Sequence, residues 1–154
     1  MRLSKHFTLD EFIKSATATR LGIDNTPDEK ALNCIQALVD NVLEPLRVHM
    51  GRPLIVTSGF RCKKLNKAVG GSSTSQHCTG EAVDIRSVSD KFSDNKEIFD
   101  TILDMKLPFD QLIWEFGNDV GPDWVHVSFS PNNRKQIIRA SKINGKTVYK
   151  NLKR

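Results

Sequence analysis

The chain has 154 residues, 38% hydrophobic and 27% charged, which suits one soluble globular domain and leaves too little chain for two comfortable ones. No stretch approaches the roughly 18 consecutive apolar residues of a membrane-spanning helix, so no membrane insertion is expected. Residues 1–7 carry charge without an apolar run, so no signal peptide is expected and synthesis is assigned to the cytoplasm. The formal net charge of +5 is uneven: residues 131–154 hold eight Lys and Arg and no acid, whereas residues 1–130 hold 15 basic and 18 acidic residues.

Thr8-Leu9-Asp10-Glu11 is a capping box and predicts a short helix through about Ala16, followed by a loop from Ala18 to Asn25. Thr26-Pro27-Asp28-Glu29 is a second capping box, with Pro27 at the first helical position. Leu32, Ile35, Leu38, Val39, Val42, Leu43 and Leu46 then recur at helical spacing. They predict a long amphipathic helix to about Met50, kinked at Pro45 and stopped by Gly51. His49 is expected near the end of that helix, and His6 in no constellation. Pro53 to Thr57 predicts a buried strand that leaves through the turn Ser58-Gly59-Phe60-Arg61. Residues 62–69 predict a short helix closed by Gly70, and residues 70–75 a loop that shapes a cleft.

Ala82 to Ile85 alternates as a strand, with Val83 and Ile85 on one face and Asp84 on the other. Residues 93–105 form a second amphipathic helix that ends before Pro108, and residues 109–116 a strand. From Trp124 the next strand places Val125, Val127 and Phe129 on one face and Trp124, His126 and Ser128 on the other. Asn144-Gly145 between apolar alternations predicts a C-terminal hairpin.

The chemistry concentrates in Ser75-Gln76-His77-Cys78-Thr79-Gly80-Glu81-Ala82-Val83-Asp84 and in Asp123-Trp124-Val125-His126. Two His and one Asp suit Zn²⁺, which takes imidazole nitrogen and carboxylate oxygen and keeps one position for water at a catalytic site. The plainer reading is a surface His–Asp hydrogen bond. Asp123, three residues before His126, is the candidate general base, and Glu115 is its rival. Ser75 is a candidate to bond a metal ligand or a substrate group, or is a plain loop serine. Trp124 lines the cleft or caps the core. Cys34, Cys62 and Cys78 are odd in number and lack metal spacing, so free thiols in a reducing compartment are expected.

Three blocks in order, Thr57-Ser58-Gly59-Phe60-Arg61, Ser75 to Asp84 and Asp123 to His126, resemble the zinc peptidases that comprise D-Ala-D-Ala carboxypeptidases, D-Ala-D-Ala dipeptidases and phage L-alanyl-D-glutamate endopeptidases. The resemblance implies His77, Asp84 and His126 as ligands of one Zn²⁺, Asp123 as base, and Arg61 at the oxyanion or substrate carbonyl. It implies a peptidoglycan stem peptide as substrate, and a phage or prophage wall-lysis enzyme released through a holin pore. A non-catalytic zinc domain, as in the hedgehog signalling domain of similar fold, and a virion-associated component are the alternatives.

The expected fold is α+β. A small, mostly antiparallel sheet from residues 53–57, 81–86, 110–115 and 124–129 has helices on one face and the zinc site on the open face. Residues 1–130 are the peptidase domain, and residues 131–154 a basic hairpin or tail of the same domain. No helix-turn-helix, finger or aromatic platform is visible, so no nucleic-acid partner is expected. The basic tail is a solvated face or a contact for an anionic wall polymer. A monomer is expected.

Overall fold

Six strands form one mixed sheet in the computed structural model, which describes residues 1–153. The strands are β1 (Leu54–Ser58), β2 (Ala82–Ser87), β3 (Gln111–Glu115), β4 (Trp124–Ser128), β5 (Gln136–Ile143) and β6 (Lys146–Asn151), in the spatial order β1-β2-β4-β3-β5-β6. All neighbours are antiparallel except β3 and β5, which run parallel. The four expected strands form the contiguous run β1-β2-β4-β3, with β1 at one edge of the sheet. The C-terminal hairpin extends it, with β5 docked on β3 from Gln111↔Gln136 to Glu115↔Ala140.

Strand alternation splits the sheet into two faces. Val83, Ile85, Val125, Val127, Leu112 and Trp114 point to one side and are buried in the core. Helices cover that side: α3 (Glu29–Leu38), α4 (Glu44–Met50) and α6 (Phe92–Asp104). Ile35, Leu38, Val39, Val42, Leu43 and Leu46 are all at most 1% exposed, so each contributes about 1.5–3 kcal/mol of transfer free energy. That burial, at helical spacing, is why this segment folds as a helical layer. Asp84, His126 and Ile113 occupy one register row on the opposite, open side.

Several local expectations are corrected. The first helix, α1 (Leu9–Ile13), stops earlier than predicted, and α2 (Ala16–Leu21) occupies part of the expected loop, capped by Ser15. The long helix starts later: Asp28 caps the Ala31 amide, while Thr26 bonds the Asp24 carboxylate. Pro45 does not sit at a simple kink. A π-helical turn, Val39–Leu43, precedes it, and the Glu44 amide reaches the Val39 carbonyl. The wider turn suits a residue with no N–H to give and a ring that crowds the carbonyl four residues back. His6 is not isolated, because its Nδ1 lies 2.6 Å from Glu44 Oε1. No helix among the described residues is long and apolar enough to cross a membrane.

Two glycines fit the site loops onto the helices. A Cβ at Gly59 would lie 2.5 Å from the Phe12 carbonyl oxygen, so β1 leaves the sheet in direct backbone contact with α1. Gly80 has φ +81°, and a Cβ there would lie 2.4 Å from the Ala31 carbonyl oxygen on α3. A side chain at either position would push its loop off the helix. Asn25, 8% exposed, ties the same region together: its amide donates to the Ile13 and Phe60 carbonyls, and its oxygen accepts from the Cys62 amide.

Candidate metal centre

His77 stands on a 3₁₀ turn, Gln76–Thr79, between α5 (Lys63–Ala68) and β2. Ser75 caps that turn by accepting from the His77 amide at 3.2 Å. The His77 ring is 4% exposed, and its Nδ1 lies 2.7 Å from the Gly59 carbonyl oxygen. A carbonyl only accepts, so Nδ1 carries the proton, and in the neutral ring Nε2 is left with a free lone pair. That Nε2 faces Asp84 Oδ1 at 3.5 Å. Asp84 Oδ1 also lies 3.0 Å from His126 Nδ1, and the two imidazoles meet edge to face with centroids 5.2 Å apart.

The three donor atoms all lie within 4.8 Å of one another. A lone pair aimed at a carboxylate oxygen needs a cation between them, either a proton or a metal. Tetrahedral donors at the usual Zn–N and Zn–O distances stand about 3.3 Å apart, and the observed 3.0 and 3.5 Å bracket that value. The Gly59 carbonyl behind His77 is the outer contact that fixes the tautomer of a metal-bound histidine. The set therefore fits Zn²⁺. Burial penalises the Asp84 carboxylate, but hydrogen bonds and charge from His126 and His77 outweigh it and hold its pKa well below the usual range.

A cleft of about 910 Å³ opens over this group on the uncovered face of the sheet. Arg61, Ser75, Glu115 and Trp124 line it together with the three donors, and so do Arg134 and Tyr149. Arg61 is bound to the site through its backbone, its amide donating to the His77 carbonyl at 3.1 Å. Its guanidinium makes long contacts with the Ser58 and Ser75 hydroxyls, and its buried Nε–H has no partner. Trp124 packs edge-on against Phe116, with centroids 5.5 Å apart.

The two carboxylates weighed as base stand in different places. Glu115 pairs across strands with Trp124, two residues from His126, so all three share the open face. Burial pushes its carboxyl up to about 7, the negative charge of Asp84 adds to this, and His126 opposes it. Asp123 precedes β4 at an odd offset from His126 and is exposed. It lines, with Arg86, Phe92 and Asn95, an adjoining depression that shares Asp84 and Trp124 with the main cleft.

Residue-by-residue reading missed Asn25, Arg134 and Tyr149. Asn25 clamps the Arg61 loop through contacts distant in sequence, with no local signal. Arg134 and Tyr149 reach the cleft only because the C-terminal hairpin joins the sheet beside β3. Cys62 and Cys78 are free, and neither belongs to the donor group.

The match of the chain to known families agrees with this geometry. A family model described as Peptidase M15 matches residues 5–128. The chain belongs to the peptidase M15 family. The match spans both His and the Asp of the donor group, and it ends before Arg134 and the β5–β6 hairpin. The M15 family is zinc-dependent, which accords with the donor chemistry found here. Comparison with curated proteins gives no match.

Proposed function

We propose that the protein is a zinc peptidase that hydrolyses an amide bond in peptidoglycan stem peptides, at a D-Ala-D-Ala end or an L-Ala–D-Glu bond. The observation that carries this reading is His77 Nε2 turned on the Asp84 carboxylate beside His126, at the floor of an open cleft. His77, Asp84 and His126 hold the metal, which supplies Lewis acidity and lowers the pKa of water at its open position.

Glu115 takes the proton of the attacking water and passes it to the leaving amine. It is on the same face as His126, in the cleft that the donor group lines. Asp123 is the other candidate, in an adjoining depression that shares Asp84 and Trp124 with the cleft. Arg61 stabilises the charge that develops on the substrate carbonyl oxygen, its Nε–H having no other partner. Ser75 orients Arg61 and His77 by accepting from both. Trp124 supplies an apolar wall for the peptide.

The resemblance to phage endopeptidases supports wall lysis during phage or prophage release as the biological setting. The test is incubation of the zinc-loaded protein with purified peptidoglycan, with new amino and carboxyl ends followed by mass spectrometry. Chelator-sensitive cleavage at one stem-peptide bond is expected, and the new ends name that bond. Bound zinc with no new ends from any wall preparation would overturn the reading in favour of a binding domain.

A further inference from the structure

Arg134, in the wall of the cleft, and buried Asp110 behind it form a second charged unit that the hydrolytic site does not use. Asp110 is 2% exposed, yet it is ionised: hydrogen bonds from Arg134 pull its pKa down to about 2 against the cost of burial. The Arg134 backbone amide and Nε both donate to Oδ1 at 2.9 Å, and Nη2 donates to Oδ2 at 2.8 Å. Gln76, the residue before His77, also donates to Oδ2, at 2.9 Å. The guanidinium is thereby fixed from behind on one edge. Its Nη1 makes no hydrogen bond among the described residues, and the side chain is 49% exposed in the wall of the cleft that holds the metal ligands. A guanidinium presented in this way is preorganised for an anion, because little side-chain freedom remains to be lost on binding.

We infer that Arg134, clamped by buried Asp110, binds a free carboxylate of the peptide substrate, on the residue that supplies the leaving amine. This rests on the peptidase reading above. Both candidate bonds share that feature. The terminal D-Ala of a D-Ala-D-Ala end carries its carboxylate there. D-Glu in a stem peptide continues through its side chain and leaves its α-carboxylate free. A subsite for this group therefore makes the protein selective for stem peptides over ordinary peptides, in which the same position is an amide. Arg134 lies outside the residues 5–128 matched by the family model.

The experiment uses the full zinc-loaded chain and two synthetic stem peptides, one for each candidate bond. Each is made with that carboxylate free or as the carboxamide. Wild type is expected to cleave the free acid with a kcat/KM at least about tenfold above the carboxamide. Arg134→Gln should lose about ten- to hundredfold on the acid and nothing on the carboxamide, and Arg134→Lys should recover part of the preference. Equal cleavage of acid and carboxamide by wild type, or a preference that survives in Arg134→Gln, would overturn the proposal. A second readout needs no turnover: titration of the Arg134 Nε–H nuclear magnetic resonance signal with the same peptides. The acid should shift it and the carboxamide should not. If neither peptide is cleaved, the peptidase reading fails, and the carboxylate site still stands or falls on that titration.

Discussion

His77 has only one nitrogen to offer a metal, because the Gly59 carbonyl takes the other. His77→Ala should therefore lose bound zinc, as should His126→Ala, in elemental analysis of the purified variants. Glu115→Gln should keep zinc and lower kcat by about 10²–10⁴-fold, the usual worth of a general base. Asp123→Asn should leave kcat near wild type; the reverse pattern would return the base to Asp123. Glu115 also makes the stability of the zinc-free protein depend on pH. Its pKa in the folded chain, about 7, lies above the ordinary glutamate value of 4.5, so the folded state binds its proton more tightly. That stabilisation is complete below about pH 4.5 and is lost as pH rises through about 7. Metal-free protein should thus melt at a lower temperature at pH 8 than at pH 5, by a difference worth up to about 3 kcal/mol. Glu115→Gln should remove that difference. In the holoenzyme the cation lowers the Glu115 pKa, and kcat/KM should rise with pH through that ionisation.

The grouping of His77, Asp84 and His126 was legible in the sequence because each sits in a short block whose order matches its chemistry. The nearness of Glu115 to that group was not, since the pairing Glu115↔Trp124 is a non-local fact. The elements show the same division. Core helices and inner strands follow from apolar spacing, whereas the π-helical turn before Pro45 depends on packing that no local pattern records. Ser15 capping a helix where a loop was expected is a cap that reading by capping boxes passed over. At this scale the contact between Gly59 and α1 positions His77 through its carbonyl. Gly59→Ala should displace the Phe12 backbone contact and cost about 1–3 kcal/mol, and it should weaken zinc affinity together with stability. Asp110→Ala strands the Gln76 and Arg134 donors and should cost about 2 kcal/mol, read as a shift in the urea midpoint.

For the whole molecule, the C-terminal hairpin is the part whose nature changed most between sequence and structure. Its turn was legible at Asn144-Gly145, and its position was not, since β5 pairs in parallel with a strand more than twenty residues earlier. β6 is an edge strand, exposed throughout, and carries Lys146 and Lys150. Charge on such an edge discourages pairing with another chain. The basic character of the tail therefore has a role in the fold beyond any attraction to wall polymers. Removing residues 134–154 should do more than weaken binding to walls. It uncovers the β3 edge, strips Arg134 and Tyr149 from the cleft and frees Asp110 of its partner. The truncated chain should melt at least about 10 °C lower or aggregate, as circular dichroism and light scattering would report. A truncated chain that melts like the full one would show that the hairpin is an appendage.

The measurement that tests the central claim most directly is zinc reconstitution of the metal-free protein with hydrolysis followed at each step. Peptidoglycan cleavage should rise in proportion to added Zn²⁺ and stop rising at one equivalent per chain. His77→Ala should show no such break. Cleavage that proceeds without metal, or zinc that binds at one per chain without any cleavage, would contradict a hydrolytic site built on His77, Asp84 and His126.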